Sequence, residues 1–116
     1  MNEEGSMPAK PMIEKVVARF NERAMKDPEL NNELAGLKKK VLIDLGTEKF
    51  NFTLMDKCID CVNEGSIPGP DITLITDPDT LEKLINGEMK AMKAWALKKV
   101  RLKGSLDDVL RFRKFL

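Results

Sequence analysis

Cys58-Ile59-Asp60-Cys61 places two thiols at the C-x-x-C spacing. Such pairs hold a metal or exchange electrons when a tight turn or a helix start brings both sulfurs to one side. Here the pair falls inside an apparent strand, where residues three apart point to opposite faces. No second such pair and no histidine supplies further ligands, so both cysteines are expected to act as small buried hydrophobes. Asp77 with Asp79 and Asp107 with Asp108 could be imagined as a carboxylate cluster for acid–base work or a cation. Each pair sits at a helix start, where capping and the helix dipole already account for acidic residues. Gly65 and Gly69, with their flanking prolines, lack the phosphate-loop spacing and precede a strand, so they are read as turn residues. The absence of histidine from all 116 residues removes the commonest general base, the Ser-His and Cys-His nucleophile pairs and most zinc sites. No catalytic residue, metal ligand or cofactor is expected, and the chain is read as a non-enzyme.

The elements that would position these side chains follow from periodicity. Residues 1–10 are polar with Gly5 and Pro8 and are expected to be flexible, leaving 11–116 as one domain. From Met12, the residues Ile13, Val16, Val17, Phe20 and Ala24 recur at helical spacing to about Lys26. Asp27-Pro28 opens a short second helix that stops at Gly36. Strand alternation then takes over: Val41 to Leu45, Phe50 to Met55 after a turn at Gly46–Lys49, and Cys58 to Val62 after Asp56-Lys57. Asp71 to Ile75 is a fourth strand. Asp77-Pro78 starts a helix carrying Leu81, Leu84 and Ile85, with Gly87 as its stop. A brief helix spans Met89 to Trp95, and Lys99 to Lys103 alternates as a last strand ended by Gly104. Ser105-Leu106-Asp107-Asp108 has the form of a capping box and opens a C-terminal helix running to Leu116. The class is α/β of the α+β type, with a largely antiparallel meander.

Twenty basic and nineteen acidic residues leave a net charge of +1, which gives no general attraction to DNA, RNA or an anionic membrane. Lys98, Lys99, Arg101 and Lys103, with Arg111, Arg113 and Lys114, form the one basic concentration. Its ordinary role is a solvated face, and its sharper role is a surface that meets lipid headgroups, in transient contact with a membrane, or the phosphate of an acyl carrier. No apolar stretch approaches the roughly 20 residues needed to cross a bilayer, and the N-terminus lacks a signal peptide's basic and apolar regions. A cytoplasmic protein is expected. Met89, Met92 and Trp95 are ordinary core candidates, although methionine also suits surfaces that adapt to varied apolar ligands. The C-terminal helix carries apolar residues around more of its circumference than one sheet face needs. That excess can cover a cavity or form a dimer contact.

From about Lys40 to Leu116 the chain resembles the sterol carrier protein type-two family of lipid-binding domains. The likeness is carried by Asp71-Ile-Thr-Leu-Ile-Thr-Asp77, Leu81, Leu84-Ile85-Asn86-Gly87-Glu88-Met89, Ala94-Trp95, Lys99-Val100-Arg101-Leu102-Lys103-Gly104 and the apolar C-terminal helix, in that order. The resemblance implies a five-stranded, mostly antiparallel sheet covered by helices, with an interior hydrophobic tunnel. It implies non-catalytic carriage of a fatty acid, fatty acyl-CoA, phospholipid or sterol. The ligand-lining residues expected are Phe52, Leu54, Met89, Met92, Trp95, Leu106 and Leu110. Leu97 falls where many members have a glutamine, so a polar ligand contact is lost there. Lys98 or Lys103, near the mouth, would pair with a headgroup, and Lys98 replaces the family's usual glycine before the last strand. The ending Arg113-Lys114-Phe115-Leu116 lacks a peroxisomal Ser-Lys-Leu signal, which points away from peroxisomal sterol transport. The alternative is an interaction module whose apolar C-terminal helix docks on a lipid-metabolising enzyme or a second copy. The protein is expected to be a monomer or a homodimer.

Overall fold

A computed structural model of the chain describes residues 8–115, so most of the segment read as a flexible N-terminus, and Leu116, lie outside the described residues. Helix α1 spans Ala9–Lys26, three residues earlier than the apolar periodicity marks. Pro11 is tolerated there because first-turn N–H groups have no intrahelical partner. Helix α2 (Pro28–Glu33) is capped by Asp27, whose Oδ1 accepts from the Glu29 and Leu30 N–H groups at 3.0 and 3.3 Å. Strands β1 (Lys39–Asp44) and β2 (Lys49–Met55) form an antiparallel pair. Asp56 and Lys57, at φ 55° and 67°, then make the doubly left-handed two-residue turn that suits a twisted hairpin.

The next strand is split. β3 (Cys58–Ile59) pairs Ile59 with Leu54, whereas β4 (Asn63–Glu64) pairs Asn63 with Asn51. Four steps along this segment therefore face three along β2, which is the one-residue excess of a bulge. That slip makes the expected five-stranded sheet a six-stranded one. The reading of the cysteines is also corrected: Cys58 alternates with buried Ile59 onto the open side of β3, Cys61 lies between the two short strands, and both are exposed free thiols. Among the described residues no group of metal-binding side chains forms.

Strand β5 (Ile72–Ile75) returns to lie parallel to β1, and β6 (Arg101–Gly104) pairs antiparallel with β5. The order is β3-β2-β1-β5-β6, with β4 beside β2. Between β5 and β6 come α3 (Pro78–Ile85) and α4 (Ala91–Ala96), and α5 (Leu106–Phe115) ends the described chain. Both α3 and α4 close in the same way. The Glu88 N–H reaches Lys83 O (2.8 Å) and Gly87 N–H reaches Leu84 O (3.3 Å); the Lys99 N–H reaches Ala94 O (2.9 Å) and Lys98 N–H reaches Trp95 O (3.1 Å). This paired bonding requires a left-handed residue just beyond the helix, supplied by Gly87 (φ 77°) in one case and Lys98 (φ 58°) in the other.

The helices gather on one sheet face. Cross-strand register sets Phe52, Val41 and Ile72 side by side, and likewise Leu102, Leu74 and Ile43. Met12, Ile13 and Val17 of α1 complete the buried cluster above them. Asn21 fixes α1 to the sheet edge: its amide donates to Ile59 O and accepts from Ile59 N–H, each at 2.8 Å. The edge strand thus receives the pairing another strand would give.

Candidate functional site

The space between α1 and the sheet is not fully packed. Ile13, Val16, Val17 and Phe20 roof a cavity of about 70 Å³ whose floor is β1, β2, β5 and β6. Leu81 of α3 and Phe112 of α5 close its sides, and its walls are apolar throughout. An alternating strand and a helix stripe at 3.6-residue spacing each put one apolar row on this interface. With no polar group to bond, such a space stays dry.

A second, open hollow of about 420 Å³ lies between α1, α3, α4 and β5. Leu84, Ile85, Met89 and Trp95 line it, and Val16, Leu74 and Leu81 belong to its wall as well as to the cavity's. The two spaces therefore share three apolar side chains. Arg19 stands at its edge and donates from Nη1 to Ile85 O at 3.1 Å, which caps an end carbonyl of α3. A third hollow, about 440 Å³, shares Trp95 and Val100 with the second and Leu102 with the cavity. Lys98, Arg101 and Arg113 give it a basic rim, and the Arg113 guanidinium lies 5.2 Å from the centre of the Trp95 ring. Three adjoining spaces, and not a single open tunnel, are what the structure shows.

The residues expected to line a ligand divide into two groups. Phe52 and Leu54 face the cavity, and Met89 and Trp95 face the second hollow. Met92, Leu97, Leu106 and Leu110 line none of the three and are 83, 53, 73 and 51 % exposed. Of the two lysines placed near a mouth, Lys98 lines the third hollow, while Lys103 points to solvent from β6. The α1 residues that roof the cavity carry no special motif. Their signal was the apolar stripe itself, which reads equally well as plain core.

Acidic residues near the site serve the framework. Asp77 Oδ1 accepts from the Thr80 N–H at 2.7 Å and its Oδ2 from the Thr80 hydroxyl at 2.8 Å. Burial works to raise the Asp77 carboxyl, but the Thr80 bonds and the Lys99 charge together outweigh it and hold it below its ordinary value. Asp108, buried, accepts from Lys39 Nζ at 2.9 Å and Arg111 Nη1 at 3.1 Å, while the Ser105 hydroxyl oxygen accepts from its backbone N–H at 3.1 Å. The Lys39 contact ties α5 to β1 beside the cavity.

The sequence profile of the SCP-2 sterol transfer family matches residues 17–116. Palmitated SCP2L2 from Aedes aegypti, a solution structure, has a similar fold at TM-score 0.68 and 17 % identity, over 93 % of each chain. UbiJ-SCP2, a ubiquinone synthesis protein, is similar at TM-score 0.61 and 18 % identity, over 95 % of this chain and 93 % of its own. The sec-alkylsulfatase Pisa1 from Pseudomonas sp. is similar at TM-score 0.55 and 18 % identity, over 73 % of this chain but only 14 % of the sulfatase. At such identities the likeness is one of fold. No curated protein matches the chain. Among the described residues no helix is long and apolar enough to cross a membrane.

Proposed function

Because the chain belongs to the SCP-2 sterol transfer family, we propose that it binds and carries a lipid with a long acyl chain and performs no chemistry on it. The observation that carries this reading is the apolar cavity beneath α1, which shares three lining side chains with a wider hollow that opens to solvent. The palmitate bound by the Aedes aegypti protein makes an acyl chain the first ligand to test. Burying about fourteen methylenes at ~0.8 kcal/mol each gives roughly 11 kcal/mol of gross driving force. Lost ligand freedom and chain ordering offset part of it, leaving room for the ~8 kcal/mol of a micromolar complex.

Size decides how the chain must enter. At about 70 Å³ the cavity is half the ~150 Å³ that holds one benzene ring. A long chain therefore occupies the second hollow first and reaches the sheet by displacing Val16, Leu74 and Leu81. Phe52, Leu54, Met89 and Trp95 are its lining, and Lys98 is placed to meet a carboxylate or phosphate.

Trp95 is the sole tryptophan and tyrosine is absent, so its emission reports the hollow directly. Palmitate and palmitoyl-CoA, titrated into delipidated protein below micelle formation, should give a saturable blue shift or quench in the micromolar range. A flat titration, confirmed by calorimetry, overturns acyl-chain carriage.

A further inference from the structure

We propose that the face built by α4, β6 and α5 docks this protein on an anionic lipid bilayer. The first observation is where exposed apolar side chains lie. Of six large exposed hydrophobics among the described residues, four are Met92, Leu97, Leu106 and Leu110. On α5, Leu106, Leu110 and Arg113 fall within an arc of about 60° at the helical 100° per residue. Phe112 and Asp108 of the same helix turn the opposite way, into the protein. Arg113 meets Trp95 of α4, so the leucine stripe runs alongside the third hollow, with Met92 one turn back on α4.

Charge is the second observation, and it selects the occupant. Residues 89–116 hold nine basic and two acidic residues, whereas residues 1–88 hold eleven basic and seventeen acidic. The near-neutral total therefore hides a strongly basic end on an acidic body. Lys90, Lys93, Lys98, Lys99, Arg101 and Lys103 are all exposed, and none lies within ion-pair distance of a carboxylate among the described residues. Exposed leucines on the same end of the chain as cations that form no ion pair match an anionic bilayer, whose headgroups take the charge while its upper acyl region takes the apolar side chains. The third hollow, lined by Lys98, Arg101 and Arg113 together with Val100, Leu102 and Val109, offers room for a phosphate headgroup on this face. The proposal does not depend on what the cavity holds, since unliganded protein presents the same surface.

The test is co-sedimentation of ligand-free protein with two kinds of vesicle, pure phosphatidylcholine and equal parts phosphatidylcholine and phosphatidylglycerol. Partition onto the anionic vesicles should be at least ~tenfold stronger and should fall steeply with salt. Two double variants probe separate elements: Leu106→Asp with Leu110→Asp, and Lys98→Glu with Arg101→Glu. Each should lower partition at least ~tenfold, given roughly fivefold per surface cation. Met25→Asp with Met55→Asp, at exposed methionines away from this face, should leave it unchanged. Equal partition onto both vesicle types overturns the proposal, as does wild-type partition by both face variants. A protein that stays in the supernatant while its size grows with concentration assigns the leucines to a second copy, and likewise overturns it. Such failures leave the palmitate titration standing, so the two readings are separable.

Discussion

Lys98→Gly should make the protein more stable. Lys98 follows the last turn of α4 at φ 58°, where the backbone bonds from Lys98 and Lys99 close the helix. A side chain in that conformation crowds its own carbonyl, at a cost of about 1–2 kcal/mol, and glycine removes the crowding. Against this, glycine adds roughly 0.5–1 kcal/mol of unfolded-state entropy. Lys98 is exposed, with no ion pair among the described residues, so no contact is lost in exchange. The net expectation is a gain of about 0.5–1 kcal/mol, or roughly 2–4 °C in Tm for a domain of this size. Thermal melts and urea unfolding followed by circular dichroism measure it. Lys98→Ala is the control, because it keeps the Cβ and the strain and should change stability little. If alanine stabilises as much as glycine, or glycine destabilises, the left-handed strain is not the cause. A stabilising change that the chain forgoes fits a lysine kept for its charge. Lys98→Gly should accordingly weaken partition onto anionic vesicles by about fivefold.

Three further outcomes follow from the framework. Gly104→Ala should cost about 2–3 kcal/mol by urea unfolding, because its Cβ would stand 2.6 Å from Asp71 O and the β5–β6 pair must shift. The Asp77 carboxyl is held below its ordinary value, so its contribution is present above the unfolded carboxylate pKa of about 3.9 and is lost as pH falls through the lower folded value. Asp77→Asn keeps a capping acceptor but not the charge. Its stability deficit should therefore be largest at neutral pH and vanish in acid, and a gap that stays constant with pH refutes the assignment. Asp108→Ala should cost about 2–3 kcal/mol, since it strands Lys39 and Arg111 and frees α5 from β1; a melt unchanged from wild type would show that Phe112 alone holds the helix.

Local chemistry was legible along most of the chain. Asp27-Pro28, Asp77-Pro78 and Ser105 announce three helix starts because a cap is a bond between near neighbours. The alternation of Val41, Ile43, Phe52 and Leu54 announces two strands and the face each buries. The bulge after Ile59 was not legible, because it is a mismatch between two segments and neither carries its signature alone. The exposure of Cys61 follows from that break, and the exposure of Cys58 from which face of β3 the core covers. The parallel join of β5 to β1 was equally hidden, since it depends on Asp71 meeting Lys40 across the fold, where Asp71 Oδ2 accepts from the Lys40 N–H at 2.8 Å.

The site divides along the same line. Composition determined that histidine chemistry is absent, the C-terminal helix carried more apolar residues than one sheet face needs, and the ordered motifs pointed to the family. Which apolar residues line the interior spaces was decided by where each helix lands. Apolar residues occur around much of α5, so periodicity could not choose between Phe112 and the stripe of Leu106 and Leu110. Phe112 in the cavity wall and Asp108 on Lys39 fix the helix's rotation, sending both leucines outward. The elements and their apolar content are short-range properties and can be read along the chain. Which of that content encloses a cavity and which is left for a surface depends on rotation about each helix axis, and that is set by contacts far away in the chain.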